Sequence, residues 1–165
     1  MIGQSEIRRV LPHRFPMLLV DRVLDVVPGE RLTALKAVTC NEPWYQNLGP
    51  DAAPQDYAYP RVLLTESWCQ SAGLLASWES PDPDVLEGKV MLFGSVSEVA
   101  YLRPVLPGDV LEHRASISRV LGDTVIVEGE STVDGDVVMT VGRAVMAFRP
   151  AEELRPGDTD PASSS

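Results

Sequence analysis

The apolar positions between residues 61 and 79 (Val62, Leu63, Leu64, Trp68, Ala72, Leu74, Leu75 and Trp78) spread over most of the circumference of a helix. A helix that is apolar nearly all round is buried rather than laid on a surface. The pattern changes after a loop at Ser80 to Asp84. Lys89 to Leu102, Asp109 to Leu121, Thr124 to Val133 and Val137 to Phe148 are β-branched runs of strand character. Gly122-Asp123 and Asp134-Gly135 separate three of them as two-residue loops, the signature of tight antiparallel hairpins. Pro104 to Gly108 supplies a broader bend. Upstream, Met17 to Val27 and Arg31 to Thr39 read as a further hairpin turning at Pro28-Gly29-Glu30. Ser5 to Leu11 predicts a short helix with Ser5 as N-cap, stopped by Pro12. The stretch from Asn47 to Pro60 reads as a loop. These elements predict an α+β domain over residues 1–150, a curved antiparallel sheet wrapped around one long central helix, followed by a flexible acidic, serine-rich tail over 151–165. Such a sheet has edge strands that need partners, so a homodimer or heterodimer is expected.

Composition narrows the function classes. At 165 residues, 44% hydrophobic and 23% charged, the chain is neither disordered nor fibrous. A net charge of −10 has the wrong sign for a phosphate-backbone binder, so no nucleic acid partner is expected. Met17 to Val20 and the interrupted run from Val62 to Trp78 are too short or too polar to span a bilayer, and Met-Ile-Gly-Gln-Ser-Glu lacks the layout of a signal peptide. The expectation is a cytoplasmic protein without a membrane partner. Cys40 and Cys69 make no disulfide framework, and no Cys/His spacing suggests a metal.

The chemistry centres on the helix, where Glu66 and Gln70 stand at i and i+4 and share one face. Either Glu66 reaches the wet end of the helix and bonds Gln70 or a neighbouring backbone group, or it is a carboxyl kept partly neutral to deliver a proton. Leu11-Pro12-His13-Arg14-Phe15-Pro16-Met17-Leu18-Leu19-Val20-Asp21-Arg22-Val23 resembles the opening motif of the FabA/FabZ-type β-hydroxyacyl-acyl-carrier-protein dehydratases, in particular the FabZ branch. Asn41 to Gln46, Val62 to Gln70, Phe93-Gly94 and Arg103 to Asp109 are similar to later family segments, in order and with similar spacing.

The resemblance implies a hot-dog fold that pairs into a double hot dog. It also implies loss of water from a 3-hydroxyacyl thioester in fatty-acid or polyketide assembly. The substrate rides on the phosphopantetheine of an acyl carrier protein, with no cofactor of the enzyme's own. In the family a His of one subunit removes the C2 proton and a helix carboxylate of the other handles the leaving hydroxyl. Helix N-terminal amides hold the thioester oxygen. By resemblance Glu66 and Gln70 are the catalytic carboxylate and amide, and Arg61, Val62, Phe93 and Gly94 meet the substrate.

The chain also departs from the family. The family loop Gly-His-Phe-Pro-Gly-x-Pro-x-x-Pro-Gly is replaced by Asn47 to Arg61, which is longer and contains no histidine. Leu48 stands at the expected imidazole position and Arg61 at that of a glycine. A missing general base costs a rate factor on the order of 10² to 10⁴. Of the two histidines, His13 is expected at a structural turn and His113 in a surface or packing role on a strand. Asp56, Tyr57 and Tyr59 lie in the altered loop as packing groups or substrate contacts, Cys69 reads as a small buried hydrophobe, and Ser67 lacks an identifiable partner base. The leading expectation is a subunit whose Glu66 is completed by a His from a related partner chain. The alternatives are a non-catalytic scaffold of a dehydratase complex, a hot-dog acyl thioesterase and, disfavoured by charge, a ligand-sensing regulator. Docking an acidic carrier needs a basic patch, for which Arg8, Arg9, Arg14, Arg61 and Arg103 are the candidates.

Overall fold

A computed structural model of the chain describes residues 1–79 and 89–151. The expected loop at Ser80 to Asp84 and the tail over 152–165 lie outside the described residues. Ala151, placed by expectation at the start of the tail, is buried.

Helix α1 (Gln4–Val10) is followed by strands β1 (Arg22–Val27) and β2 (Arg31–Ala37), then by 3₁₀ turns at Pro43–Tyr45 and Pro54–Tyr57. Helix α2 (Arg61–Ser77) follows, then β3 (Lys89–Tyr101), β4 (Val110–Leu121), β5 (Thr124–Val133) and β6 (Asp136–Pro150). The six strands form one antiparallel sheet in the order β1-β2-β4-β5-β6-β3. This is the α+β hot-dog arrangement expected: α2 packs against β2, β3, β4 and β5, with Trp68, Ala72 and Leu74 fully buried. Both two-residue hairpins are present. Asp134 and Gly135 take φ of 53° and 89°, the left-handed pair that a tight hairpin requires. The helix is seated by a close approach within the sheet. A Cβ on Gly129 would lie 2.0 Å from the Arg114 carbonyl oxygen, the same oxygen that accepts the Trp68 indole N–H at 3.0 Å.

Two expectations at the N-terminal end are corrected. The N-cap of α1 is Gly3; Ser5 lies inside the helix with its hydroxyl on the Glu6 carboxylate at 2.7 Å. Met17 to Asp21 is not a strand, because part of its backbone is claimed by a side chain of α2. Leu19 N–H donates to Gln70 Oε1 at 2.9 Å, and Gln70 Nε2 donates to the Met17 carbonyl at 2.7 Å. The segment becomes a strap across the helix.

Candidate active site

Glu66 lies in the second turn of α2, and its carboxylate meets one group a turn along the same helix and one that sequence separation hides. Gln70 Nε2 donates to Oε1 at 2.8 Å, and the His13 ring reaches the same oxygen through Nε2 at 3.4 Å within one chain. His13, expected only at a structural turn, therefore also brings an imidazole to the carboxylate of its own chain. His13 comes from the turn after α1, where Arg14 spends its guanidinium on the carbonyls of Arg8, Leu11 and His13 and so fixes the bend. The other ring nitrogen, His13 Nδ1, is buried with no hydrogen-bond partner among the described residues. A ring proton on Nε2 thus finds an acceptor in Glu66, and one on Nδ1 finds none.

Burial raises the proton affinity of Glu66, but the His13 hydrogen bond, the Gln70 amide and the charge of His13 outweigh it. The carboxyl is held below its ordinary range. Of the two readings open for Glu66, these contacts favour the one in which it bonds Gln70 over a carboxyl kept partly neutral. Gln70 is 2% exposed and cannot swing away, since its remaining capacity is spent on the strap.

The pair sits in a cavity of about 670 Å³ with mostly apolar walls. Of the residues expected to meet substrate, Val62 and Phe93 line it beside Glu66 and Gln70; Arg61 and Gly94 do not. Arg61 instead lays its guanidinium over the Tyr101 ring, 5.1 Å from the centroid, and Gly94 lies at a register shift between Phe93 and Ser95. Thr65 and Tyr101, missed from sequence, line the cavity and share a 2.6 Å hydrogen bond. Their strand and helix periodicities gave no sign of it. Cys69 also lines the cavity, and burial pushes its thiol up to about 12, so it behaves as the small hydrophobe expected. At the start of α2 the amides of Leu63 and Leu64 are both spent on the Pro60 carbonyl. Those of Arg61 and Val62 precede any intrahelical acceptor.

The altered loop is a packing element. Asp56 accepts the Ala53 N–H at 2.9 Å, Tyr57 stacks on Tyr45, and Tyr59 is buried against Trp44. Leu48 packs on the core. A second imidazole, His113, is fully buried on β4, with Nε2 2.7 Å from Ser67 Oγ and Nδ1 2.7 Å from Ser131 Oγ. Ser67 therefore does have a neighbouring base, but all three groups are sealed from solvent. Among the described residues no three His, Cys, Asp or Glu side chains converge as a metal cluster would, and no helix is long and apolar enough to cross a membrane.

Comparison with known proteins agrees with this geometry. The FabA-like domain family matches residues 11–142. The 3-hydroxyacyl-[acyl-carrier-protein] dehydratase FabZ of Oleidesulfovibrio alaskensis is 43% identical over 132 residues, covering 80% of this chain and 82% of the relative. That of Campylobacter hominis is 39% identical over 137 residues, covering 83% and 91%. Among solved structures, the dehydratase heterocomplex ApeI:P from Xenorhabdus doucetiae superposes with a TM-score of 0.70 at 19% identity, over 90% of this chain and 93% of that one. A hot-dog-like protein from Thermanaerovibrio acidaminovorans superposes at 0.60, with 19% identity over 78% and 87%. At that identity these two likenesses speak for the hot-dog fold alone. The chain belongs to the FabA-like family and, within it, to the FabZ branch of hydro-lyases.

Proposed function

We propose that this chain is a 3-hydroxyacyl-[acyl-carrier-protein] dehydratase of fatty-acid or polyketide assembly whose Glu66 works with His13 of the same chain. The observation that carries the reading is the 3.4 Å contact between the two side chains inside an apolar cavity. An ionised Glu66 starts the cycle as base. It takes the C2 proton, the electron pair moves to form the C2=C3 bond, and the C3–O bond breaks. The carboxyl then returns that proton to the departing hydroxide, which leaves as water, and the carboxylate is restored. His13 Nε2–H and the Gln70 amide orient the carboxylate throughout, and the Val62 amide at the start of α2 meets the thioester oxygen as negative charge develops there.

A second reading is favoured by Leu48, which stands where the family loop carries its imidazole and has no group to accept a proton. Here a related chain supplies the base and Glu66 the proton. Dimerisation suits either reading. β3 is an edge strand, with Leu92 and Phe93 38% and 41% exposed, and Val62 on α2 is 71% exposed. An acidic acyl carrier protein would meet Arg8 and Arg9, exposed on α1, whereas Arg14 is spent on its own turn. The deciding experiment is water loss from a 3-hydroxyacyl-pantetheine thioester by the chain purified alone, compared with its His13→Ala variant. Turnover that falls in the variant supports the pair within one chain. An inactive lone chain that gains activity only with a partner carrying the loop histidine supports the second reading. Inactivity in both settings rejects the dehydratase function.

A further inference from the structure

Thr65 and Tyr101 place two hydroxyls in a cavity wall otherwise formed nearby by Val62, Phe93 and Val96. Thr65 Oγ1 is 2.6 Å from the Tyr101 phenol oxygen and 3.1 Å from the carbonyl of Arg61, one turn back along α2. Two protons must be placed among these three oxygens. If Thr65 donated to Tyr101, the phenol proton would point into the cavity with no acceptor among the described residues. If Thr65 donates to the Arg61 carbonyl, Tyr101 donates to Thr65 and every O–H is satisfied. Within the protein alone, the arrangement that satisfies every O–H runs from Tyr101 O–H to Thr65 O–H to the Arg61 carbonyl. What it leaves unused on the cavity side is the lone-pair capacity of the phenol oxygen.

We infer that Tyr101 is a specificity-determining hydrogen-bond acceptor that engages an O–H or amide N–H donor carried by the thioester substrate. An acceptor among apolar walls gains by meeting a donor and penalises a ligand that offers none. The Arg61 guanidinium over the ring, 5.1 Å from its centroid, helps hold the phenol in place. The donor has two chemical sources, the amides of a pantetheine arm or a hydroxyl on the acyl chain. This inference rests on the thioester reading given above and adds what part of the substrate is read.

The test is binding, so it does not depend on turnover. Three saturated thioesters are titrated against the full chain by NMR: hexanoyl ethanethiol ester without donors, hexanoyl-pantetheine with donors in the arm, and 6-hydroxyhexanoyl ethanethiol ester with a donor in the acyl chain. Tyr101→Phe should weaken one of the two donor-bearing ligands by about 3- to 10-fold and leave the donor-free ester unchanged. The ligand affected identifies the source. Thr65→Val removes the acceptor of the phenol proton and frees Tyr101 to donate. In that variant the preference for the donor-bearing ligand should fall, which a loss of packing alone would not produce. Equal effects of Tyr101→Phe on all three ligands, or none, overturn the inference. If no thioester binds the unaltered chain, the thioester reading falls with it. Water loss by the unaltered chain is measured separately, so a flat binding panel beside full turnover sinks this inference alone.

Discussion

Two adjacent residues of one helix, Glu66 and Ser67, each meet an imidazole, and the two encounters have opposite outcomes. Glu66 and His13 face a cavity, with side chains 34% and 31% exposed. Ser67 and His113 are closer, at 2.7 Å, and have the look of a nucleophile with its base, yet both are fully buried and Ser131 occupies the second ring nitrogen. Burial pushes the His113 imidazole down to about 3, with the nearby Lys36 charge acting in the same direction. The ring is thus a neutral bridge between two hydroxyls. The contrast teaches that proximity of reactive groups comes readily along a packed helix, and that access to a cavity decides which pair can meet a substrate.

The largest test of the contrast is Glu66→Gln. It should lower kcat of water loss by about 10² to 10⁴ while thermal melting barely moves. His113→Leu should do the reverse. It takes the ring nitrogens away from both buried hydroxyls and leaves Ser67 Oγ only the Leu19 carbonyl at 3.4 Å, so denaturant unfolding should show a loss of about 2 to 5 kcal/mol with kcat of the folded fraction unchanged. His13→Ala removes the largest influence holding Glu66 low. Activity should fall about tenfold, and the acid limb of kcat/KM should move to higher pH, because burial then weighs more heavily against the carboxylate. Ser67→Ala leaves His113 Nε2 short of one partner and should cost about 1 to 3 kcal/mol in unfolding with less than about a twofold change in kcat. A collapse of turnover in a folded Ser67→Ala protein would break the contrast.

A pH dependence sharpens the same contrast. The unfolded chain protonates His113 below about 6.5, whereas the folded chain resists until about 3. Its contribution therefore lowers stability progressively as pH falls from about 6.5 towards 3, at most about 1.4 kcal/mol per pH unit. The difference between wild-type and His113→Leu melting temperatures should narrow over that range. Glu66 also loses stability towards acid, but only below 4.5, where the unfolded carboxylate begins to outcompete the folded one for protons.

Much of the fold was legible because it is written in local periodicity. The apolar circumference of α2, the Gly122-Asp123 and Asp134-Gly135 turns and the β-branched runs each carry their signal within a few residues. The strap at Met17 to Asp21 was misread as strand for the same reason: its composition is that of a strand, but its partner is the Gln70 amide 51 residues away from Leu19. Glu66, Gln70, Val62 and Phe93, expected from motif and helical spacing, line the cavity. Arg61 and Gly94 were expected in the cavity and do not line it. His13 lies in the turn its sequence context predicts, and its contact with Glu66, which comes from far along the chain, leaves no local sign.

The sequence by itself determined a buried helix, a sheet of antiparallel hairpins and a carboxylate one turn before an amide, since each depends on contacts among near neighbours. Only the tertiary structure decided which imidazole meets that carboxylate and which is sealed away. Hydrogen bonds and burial act through space, and where the strap and β4 cross α2 is set by packing of the whole core rather than by any short stretch of chain.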